Sequence, residues 1–248
     1  MAGHSKWANI QHRKGRVDAA RGKLWSKLSK AIIMAAQSGG GDPNANFRLR
    51  KAIDDAKAVS MPKDNIARAI KRGTGESGDA RVEEVVYEGY GPGGVAIMCE
   101  SLTDNRNRTA PEMRLIFSKL GGELGKTGCV SYLFDRKGLF VFDGEGVDEE
   151  RVTEIALENG GEDVETTDDG KLQVTCSPDD YQTLAEAFET AELTPEVKQV
   201  TLIPQTTVEV DADTGKKAMR LLEQLDDHDD VQNVSTNLNI TDDLLSDE

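Results

Sequence analysis

The densest chemistry in this chain is cationic. Lys6, Arg13, Lys14, Arg16, Arg21, Lys23, Lys27 and Lys30 stand within its first 30 residues against one acid, Asp18, with His4, Trp7 and His12 interleaved. Lysine and arginine neutralise phosphates and release their counterions, and an indole or imidazole plane stacks on an unpaired base. Gly3, Gly15 and Gly22 leave the backbone adaptable. The pattern marks His4, Lys6, Trp7, His12, Arg13, Lys14, Arg16, Arg21, Lys23, Lys27 and Lys30 as nucleic-acid-binding candidates. The competing reading is a solvated arm, or one that folds back onto the protein's own acidic surface.

A second basic group, Arg106, Arg108, Arg114, Lys119 and Lys126, follows the turn Thr103-Asp104-Asn105. It is a candidate second basic site. The blander account is favoured, because Asp and Asn cap the start of a helix, arginines pair with nearby acids, and nothing aromatic accompanies the charges. Gly121-Gly122-Glu123-Leu124-Gly125-Lys126-Thr127 resembles a phosphate loop but is one residue short of GxxxxGK[ST] and follows a helix where that loop must follow a strand. His228 in Asp226-Asp227-His228-Asp229-Asp230 reads as part of a solvated loop before it reads as a cation site. No Ser, Cys or Lys sits in a local signature with a base. The expectation is a protein without catalytic residues, metal or cofactor.

The elements that must position the basic residues come next. Leu24, Leu28, Ala31, Ile32 and Ala35 recur at helical spacing, and Gly39-Gly40-Gly41 with Asp42-Pro43 ends that helix. Lys23, Lys27 and Lys30 fall on a neighbouring stripe. A second helix should carry Phe47, Leu49, Ala52, Ile53 and Ala56 inward, and a third runs from near Pro62 to Gly73. From Val82 the pattern turns to strands: Val82 to Tyr90, a Gly-Pro-Gly-Gly turn, and Val95 to Leu102. A helix over Thr109 to Leu120 and a strand over Cys129 to Phe134 follow. Residues 139–203 then read strand, helix, strand, strand, helix, strand, the ferredoxin-like order. The tail offers a strand near Val208 to Val210, a helix from Thr214 to Leu225 and a strand from Val231 to Thr236, which should return to the sheet begun at Val82.

The expected fold is therefore α+β in three domains. Residues 1–78 form a basic helical domain with a flexible arm, 79–135 with 205–240 a discontinuous α/β domain, 136–204 an inserted ferredoxin-like domain, and 241–248 an acidic tail. Charge divides along the same line. The first 72 residues hold nine Lys and seven Arg against five Asp, a formal +11, which leaves −26 for the other 176 of a chain whose net charge is −15. Potential acts locally, so a basic module can seek phosphate despite an acidic body. No stretch approaches the roughly 20 apolar residues of a membrane span, and the basic start lacks the apolar core of a signal peptide. The three cysteines, Cys99, Cys129 and Cys176, match neither disulfide nor zinc spacing. Together these point to the cytoplasm and exclude a membrane partner.

Four segments closely resemble the YebC family: Met1-Ala2-Gly3-His4-Ser5-Lys6-Trp7-Ala8-Asn9-Ile10, Gly39 to Pro43, Tyr87 to Gly94, and Leu102 to Thr109. The likeness runs from residue 1 to about 240. It implies a three-domain fold and a non-enzymatic role in gene expression. Bacterial members are generally labelled probable transcriptional regulators that bind DNA. Others, including the mitochondrial translational activator of cytochrome oxidase subunit I, act on translation, and bacterial relatives have been linked to the ribosome and to stalling at proline-rich sequence. The resemblance supplies no catalytic residues.

Residues and resemblance together predict a regulator of gene expression binding DNA through its basic N-terminal domain, with no small-molecule substrate. The alternative is a ribosome-associated translation factor contacting ribosomal RNA. The helices of the basic domain are joined by a long Gly-Gly-Gly-Asp-Pro loop, not a tight turn, which argues against a helix-turn-helix and for backbone contacts. Two other classes compete: an enzyme holding an anionic substrate at the Asn105 to Arg108 turn, and an adaptor with no affinity for polyanions.

Overall fold

The computed structural model describes residues 21–76, 78, 81–144, 146–167, 170–241 and 244. The fold is α+β, a helical N-terminal region followed by two four-stranded sheets. The described residues group into two compact units, one made of 21–129 with 217–234 and the other of 130–216 with the residues from 235 onward.

In the first unit, α1 (Arg21–Gly39), α2 (Phe47–Ala58) and α3 (Lys63–Gly73) share one core. Ile32, Ile33, Ala35 and Ala36 of α1 meet Leu49, Ala52, Ile53 and Ala56 of α2 and Ile66 and Ala69 of α3. One buried side chain joins the first two helices. Asn46 Nδ2 donates to Ala35 O at 2.8 Å and Gly40 O at 2.9 Å, while its Oδ1 accepts from Leu49 N at 3.0 Å. It thereby serves the free carbonyls of the α1 end and caps the start of α2. Gly40, at φ +83°, supplies the left-handed turn that lets the chain leave α1.

Two expectations change here. Phe47 does not point inward: it is 41% exposed, and the Arg50 guanidinium lies 5.4 Å from its ring centre. It opens the helix, before the inward stripe begins at Leu49. The connection between α2 and α3 is a tight one, running only from Val59 to Pro62 with Ser60 at φ +58°. The long loop after α1 had hidden it.

β1 (Glu83–Tyr90) and β2 (Ala96–Thr103) form the antiparallel hairpin, turned through a short 3-10 segment at Pro92–Gly94. α4 (Arg106–Lys119) starts three residues before the expected Thr109, because the Asn105 side chain accepts from Arg108 N and fixes the first turn earlier. β3 (Glu123–Leu124) pairs with the end of β1. The strand expected at Cys129 is instead a 3-10 turn over Ser131–Leu133, and the extended chain begins at Phe134.

β4 (Phe134–Phe142), α5 (Glu149–Glu158), β5 (Gly161–Thr166), β6 (Leu172–Cys176), α6 (Tyr181–Thr190) and β7 (Val197–Pro204) follow in the ferredoxin-like succession. Their sheet order, β5-β6-β4-β7 with antiparallel neighbours, is the one that succession requires. Its core is aromatic: Phe140 stacks on Tyr181 at 5.1 Å, and Phe188 meets Phe140 and Phe142 edge-on at 5.3 and 5.0 Å. The segment expected as a strand near Val208 makes only a single bridge, to Leu238. α7 (Ala212–Asp226) and β8 (Val231–Thr236) close the chain, and β8 lies beside β2 in the order β3-β1-β2-β8. The ferredoxin-like segment is thus inserted in sequence within the first sheet. No helix among the described residues is long and apolar enough to cross a membrane.

The closest approach in the helical region sets a test. A Cβ on Gly73 would lie 2.6 Å from both Ala36 Cβ and Ile33 O, whereas one on Gly22 meets nothing within 4 Å. Gly73→Ala should lower stability by about 1–3 kcal/mol through overpacking of α1 against α3. Gly22→Ala should raise it by about 0.4–1 kcal/mol through the unfolded chain. Thermal or urea unfolding of the two variants decides.

Candidate nucleic-acid interface

Of the eleven arm candidates, His4, Lys6, Trp7, His12, Arg13, Lys14 and Arg16 lie outside the described residues, as does the side chain of Arg21. Lys23, Lys27 and Lys30 are described, and helical spacing puts them on one side of α1. That side faces the end of α7 and the acidic loop after it. Lys23 Nζ donates to Asp227 O at 3.2 Å, Lys27 Nζ to Asp226 O, and Lys30 Nζ to Asp229 O at 2.9 Å and to an Asp230 carboxylate oxygen. Lys27 also lies 3.7 Å from the Asp226 carboxylate. A helix C-terminus carries partial negative charge and free carbonyls, so three ammonium groups complement it. Two of the three are turned inward, the Lys27 and Lys30 side chains being each 16% exposed, while Lys23 is exposed.

Asp230 is the centre of this contact. Its carboxylate accepts from Lys30, from Arg108 at 2.7 Å and from the Thr109 hydroxyl at 2.6 Å, with 1% of the side chain exposed. Its carbonyl accepts from Leu102 N at 2.7 Å, and its N–H donates to His228 Nδ1 at 3.1 Å. Burial alone would push the Asp230 carboxyl up, but the Lys30, Thr109 and Arg108 hydrogen bonds and the Lys30 charge hold it well below the usual carboxylate range. His228 Nδ1 accepts, so Nε2 carries the proton and donates to Glu112 at 3.1 Å.

Glu112, His228 and Asp230 bring ligand atoms within 4.8 Å of one another. Those atoms already serve this hydrogen-bonded network, and Lys30 and Arg108 supply the positive charge a metal ion would bring. Beside them opens a cleft of about 900 Å³, whose lining includes Trp25, Lys30, Arg72, Arg108, Glu112 and His228. Its charges largely pair internally: Arg72 with Asp104 at 3.0 Å, Arg108 with Asp104, Glu112 and Asp230.

The second basic group divides. Arg108 belongs to the Asp230 network, and Arg106 lies 3.7 Å from Glu83. Arg114, Lys119 and Lys126 are exposed and apart from it. The Gly121 to Thr127 segment is committed to the sheet: Gly125 N donates to Glu88 O and Gly128 N to Glu88 Oε1, both at 2.8 Å. Its backbone donors do not gather as a phosphate cradle. Burial raises the Cys99 thiol, and burial with the Asp180 and Glu162 charges takes Cys176 up to about 11, so neither is a thiolate at neutral pH.

Sequence reasoning missed Asp230 and Thr109, which lie 121 positions apart and meet only through the fold. It also passed over Lys63, Arg68 and Lys71 of α3, all exposed. Their signal was present: three cations lie outside the buried Ile66 and Ala69 face.

This combination defines an α+β protein with a cationic helical end, hairpin-based and ferredoxin-like sheets, and a candidate chemistry of polyanion contact. The family profile described as "TACO1/YebC protein N-terminal domain" matches residues 5–76, and that described as "TACO1/YebC second and third domain" matches residues 82–238. The chain belongs to the TACO1/YebC family. It is 70% identical over 246 residues to "Probable transcriptional regulatory protein RB5500" of Rhodopirellula baltica, covering 99% of this chain and 100% of that one. A "Probable transcriptional regulatory protein" of Natranaerobius thermophilus is 53% identical over 248 residues, 99% of each chain. The crystal structure of a conserved hypothetical protein, Aq1575, from Aquifex aeolicus superposes with a TM-score of 0.85 at 46% identity, over 98% of this chain and 100% of that one. By the names of its relatives, this is a family of regulatory proteins.

Removing the Asp230 carboxylate should be costly. Asp230→Ala takes the shared carboxylate from Lys30 and Thr109, and because Lys30 keeps Asp229 O, Thr109 keeps Asn105 O and Arg108 can turn to water, the loss should fall toward the lower end of the roughly 3–5 kcal/mol of a broken buried pair. The folded carboxyl titrates well below its unfolded value of about 3.9, so its contribution is full above that value and is lost progressively as pH falls from there through the lower folded value. The gap in melting temperature between wild type and Asp230→Asn should therefore be wide at pH 7, begin to narrow only below about pH 4, and close as pH falls on toward the much lower folded value. A gap independent of pH would remove the charge from the account.

Proposed function

We propose that this chain is a nucleic-acid-binding regulator of gene expression whose basic N-terminal domain, residues 1–78, grips a phosphate backbone. DNA in a transcriptional setting is the target that the names of its relatives favour. The observation that carries the reading is the charge partition, +11 over the first 72 residues against −26 over the rest. Like charge keeps the acidic regions, residues 79–135 with 205–240 and the ferredoxin-like 136–204, away from a polyanion, so one end engages and the remainder is left to orient the complex or meet a partner. The reading needs no catalytic residue, cofactor or membrane, and it places the protein in the cytoplasm.

Ribosomal RNA is the second reading. Trp7, His4 and His12 among the arm cations favour it, because aromatic planes stack on unpaired bases, which are commoner in folded RNA than in a duplex. The internal pairing of Arg108 counts against the enzyme reading, since an anionic substrate there would have to displace Asp230.

Charge reversal at Lys6, Arg13 and Lys14 to Glu should weaken binding to duplex DNA or structured RNA on the order of a hundredfold and flatten its dependence on salt. Unchanged affinity in that triple variant would refute the arm's role. Crosslinking in cells, followed by sequencing of the recovered nucleic acid, separates the targets: promoter DNA from ribosome-free fractions supports the transcriptional reading. Ribosomal RNA at defined positions, lost as salt rises, supports the other.

A further inference from the structure

The lysines of α1 and the cations of α3 are in opposite circumstances. Lys27 and Lys30 are largely buried against the acidic loop of their own chain, where phosphate would compete with carbonyl and carboxylate oxygens already in place, and Lys23, though exposed, donates to the Asp227 carbonyl. Lys63, Arg68 and Lys71 are exposed, and none has a carboxylate partner among the described residues. Arg68 is held by neutral acceptors, Asp64 O at 3.3 Å and the Asn65 side-chain oxygen, which orient its guanidinium and leave the charge uncompensated. Ile66 and Ala69 turn one side of the helix into the core, Arg68 and Lys71 lie opposite it, and Lys63 is exposed in the first turn at the edge of that outward arc. Asp64, the single acid on α3, sits in the first turn, where it complements the helix N-terminus.

We infer that the outward face of α3, and not the lysine stripe of α1, is where the folded part of the basic domain meets the phosphodiester backbone. This rests on the reading that the protein binds nucleic acid and names the surface that does it. Lys63 and Lys71 are separated by about 12 Å along the axis at 1.5 Å per residue. A single nucleic-acid strand carries one phosphate per roughly 3.4 Å of duplex axis, so the face spans three to four phosphates. The four-residue turn after α2 leaves α3 as a short rod with its charged side outward. Lysine and arginine as point charges read backbone, so this surface binds DNA and RNA through the same chemistry.

The test compares two triple variants of the full chain, Lys63→Ala/Arg68→Ala/Lys71→Ala and Lys23→Ala/Lys27→Ala/Lys30→Ala, on a duplex DNA and on a structured RNA across a salt series. The α3 variant should keep its melting temperature, bind on the order of ten- to a hundredfold more weakly, and lose about 2–3 from the slope of log K against log salt. The α1 variant should melt earlier and keep most of its slope. A third variant that retains charge, Lys63→Arg/Arg68→Lys/Lys71→Arg, should bind as wild type does. The ligand on which the slope change is larger identifies the backbone the face is built for. If wild type binds with a steep salt dependence and the α3 variant matches it, the α3 assignment is wrong and the functional reading survives. If wild type shows no salt-dependent binding to either ligand, the functional reading itself is overturned.

Discussion

A buried carboxylate cannot be left alone, and in this protein that constraint fixes the helical region in place. Asp230 has lost its water, and an ionised group in that position is tolerable only when its oxygens are fully served. The groups that serve it come from far apart in the chain: Lys30 from α1, Arg108 and Thr109 from the first turn of α4, with Leu102 N from β2 and His228 from the loop on its backbone groups. The contacts support one another, because the carboxylate at their centre is tolerable in a dry place only while several of them serve it. The result is a cooperative knot that aligns α1 with the hairpin sheet, and it explains why an acidic loop can be structural and not merely solvated.

The knot also changes how the basic residues are to be counted. Lys27 pairs with Asp226, Lys30 with Asp230, Arg48 with Glu84, Lys51 with Asp55, Lys57 with Asp54 and Arg72 with Asp104. These charges are matched inside the chain, and at physiological salt, with a screening length of about 8 Å, they contribute little to the outward potential. What remains among the described residues of the helical region is Arg50 over Phe47, Lys23 on a carbonyl, and the α3 face. A formal charge taken from composition counts cations matched inside the chain together with those that are not.

That distinction marks where the sequence was legible. Local signals were strong: β6 and β8 fall where alternation put them, the ferredoxin-like succession follows from six elements in a row, and Asn105 was recognisable as a helix cap. Where local signals were weak, contacts distant in sequence decided. Cys129 to Phe134 has the composition of a strand, yet its first residues turn, because Tyr90 and the Glu88 edge hold Cys129 and Gly128 in a loop. Phe47 has the character of a core residue and lies outside because helix phase places it one step before the buried stripe. The Asp230 site was invisible, since periodicity says nothing about which loop a lysine stripe will face.

The acidic loop also bears on which partner the basic region can accept. Its carbonyls and carboxylates already occupy the oxygen sites that phosphates would fill along α1, in a geometry set by the fold and without the entropy of bringing in a separate molecule. An incoming strand must therefore outcompete a tethered anion there, while at α3 the described residues set no carboxylate against the cations. The difference favours a footprint on α3 over one on the lysine stripe of α1. The acidic body then gives a directional field around a modest number of unmatched cations. Specificity of approach comes from what the fold neutralises as much as from what it leaves charged.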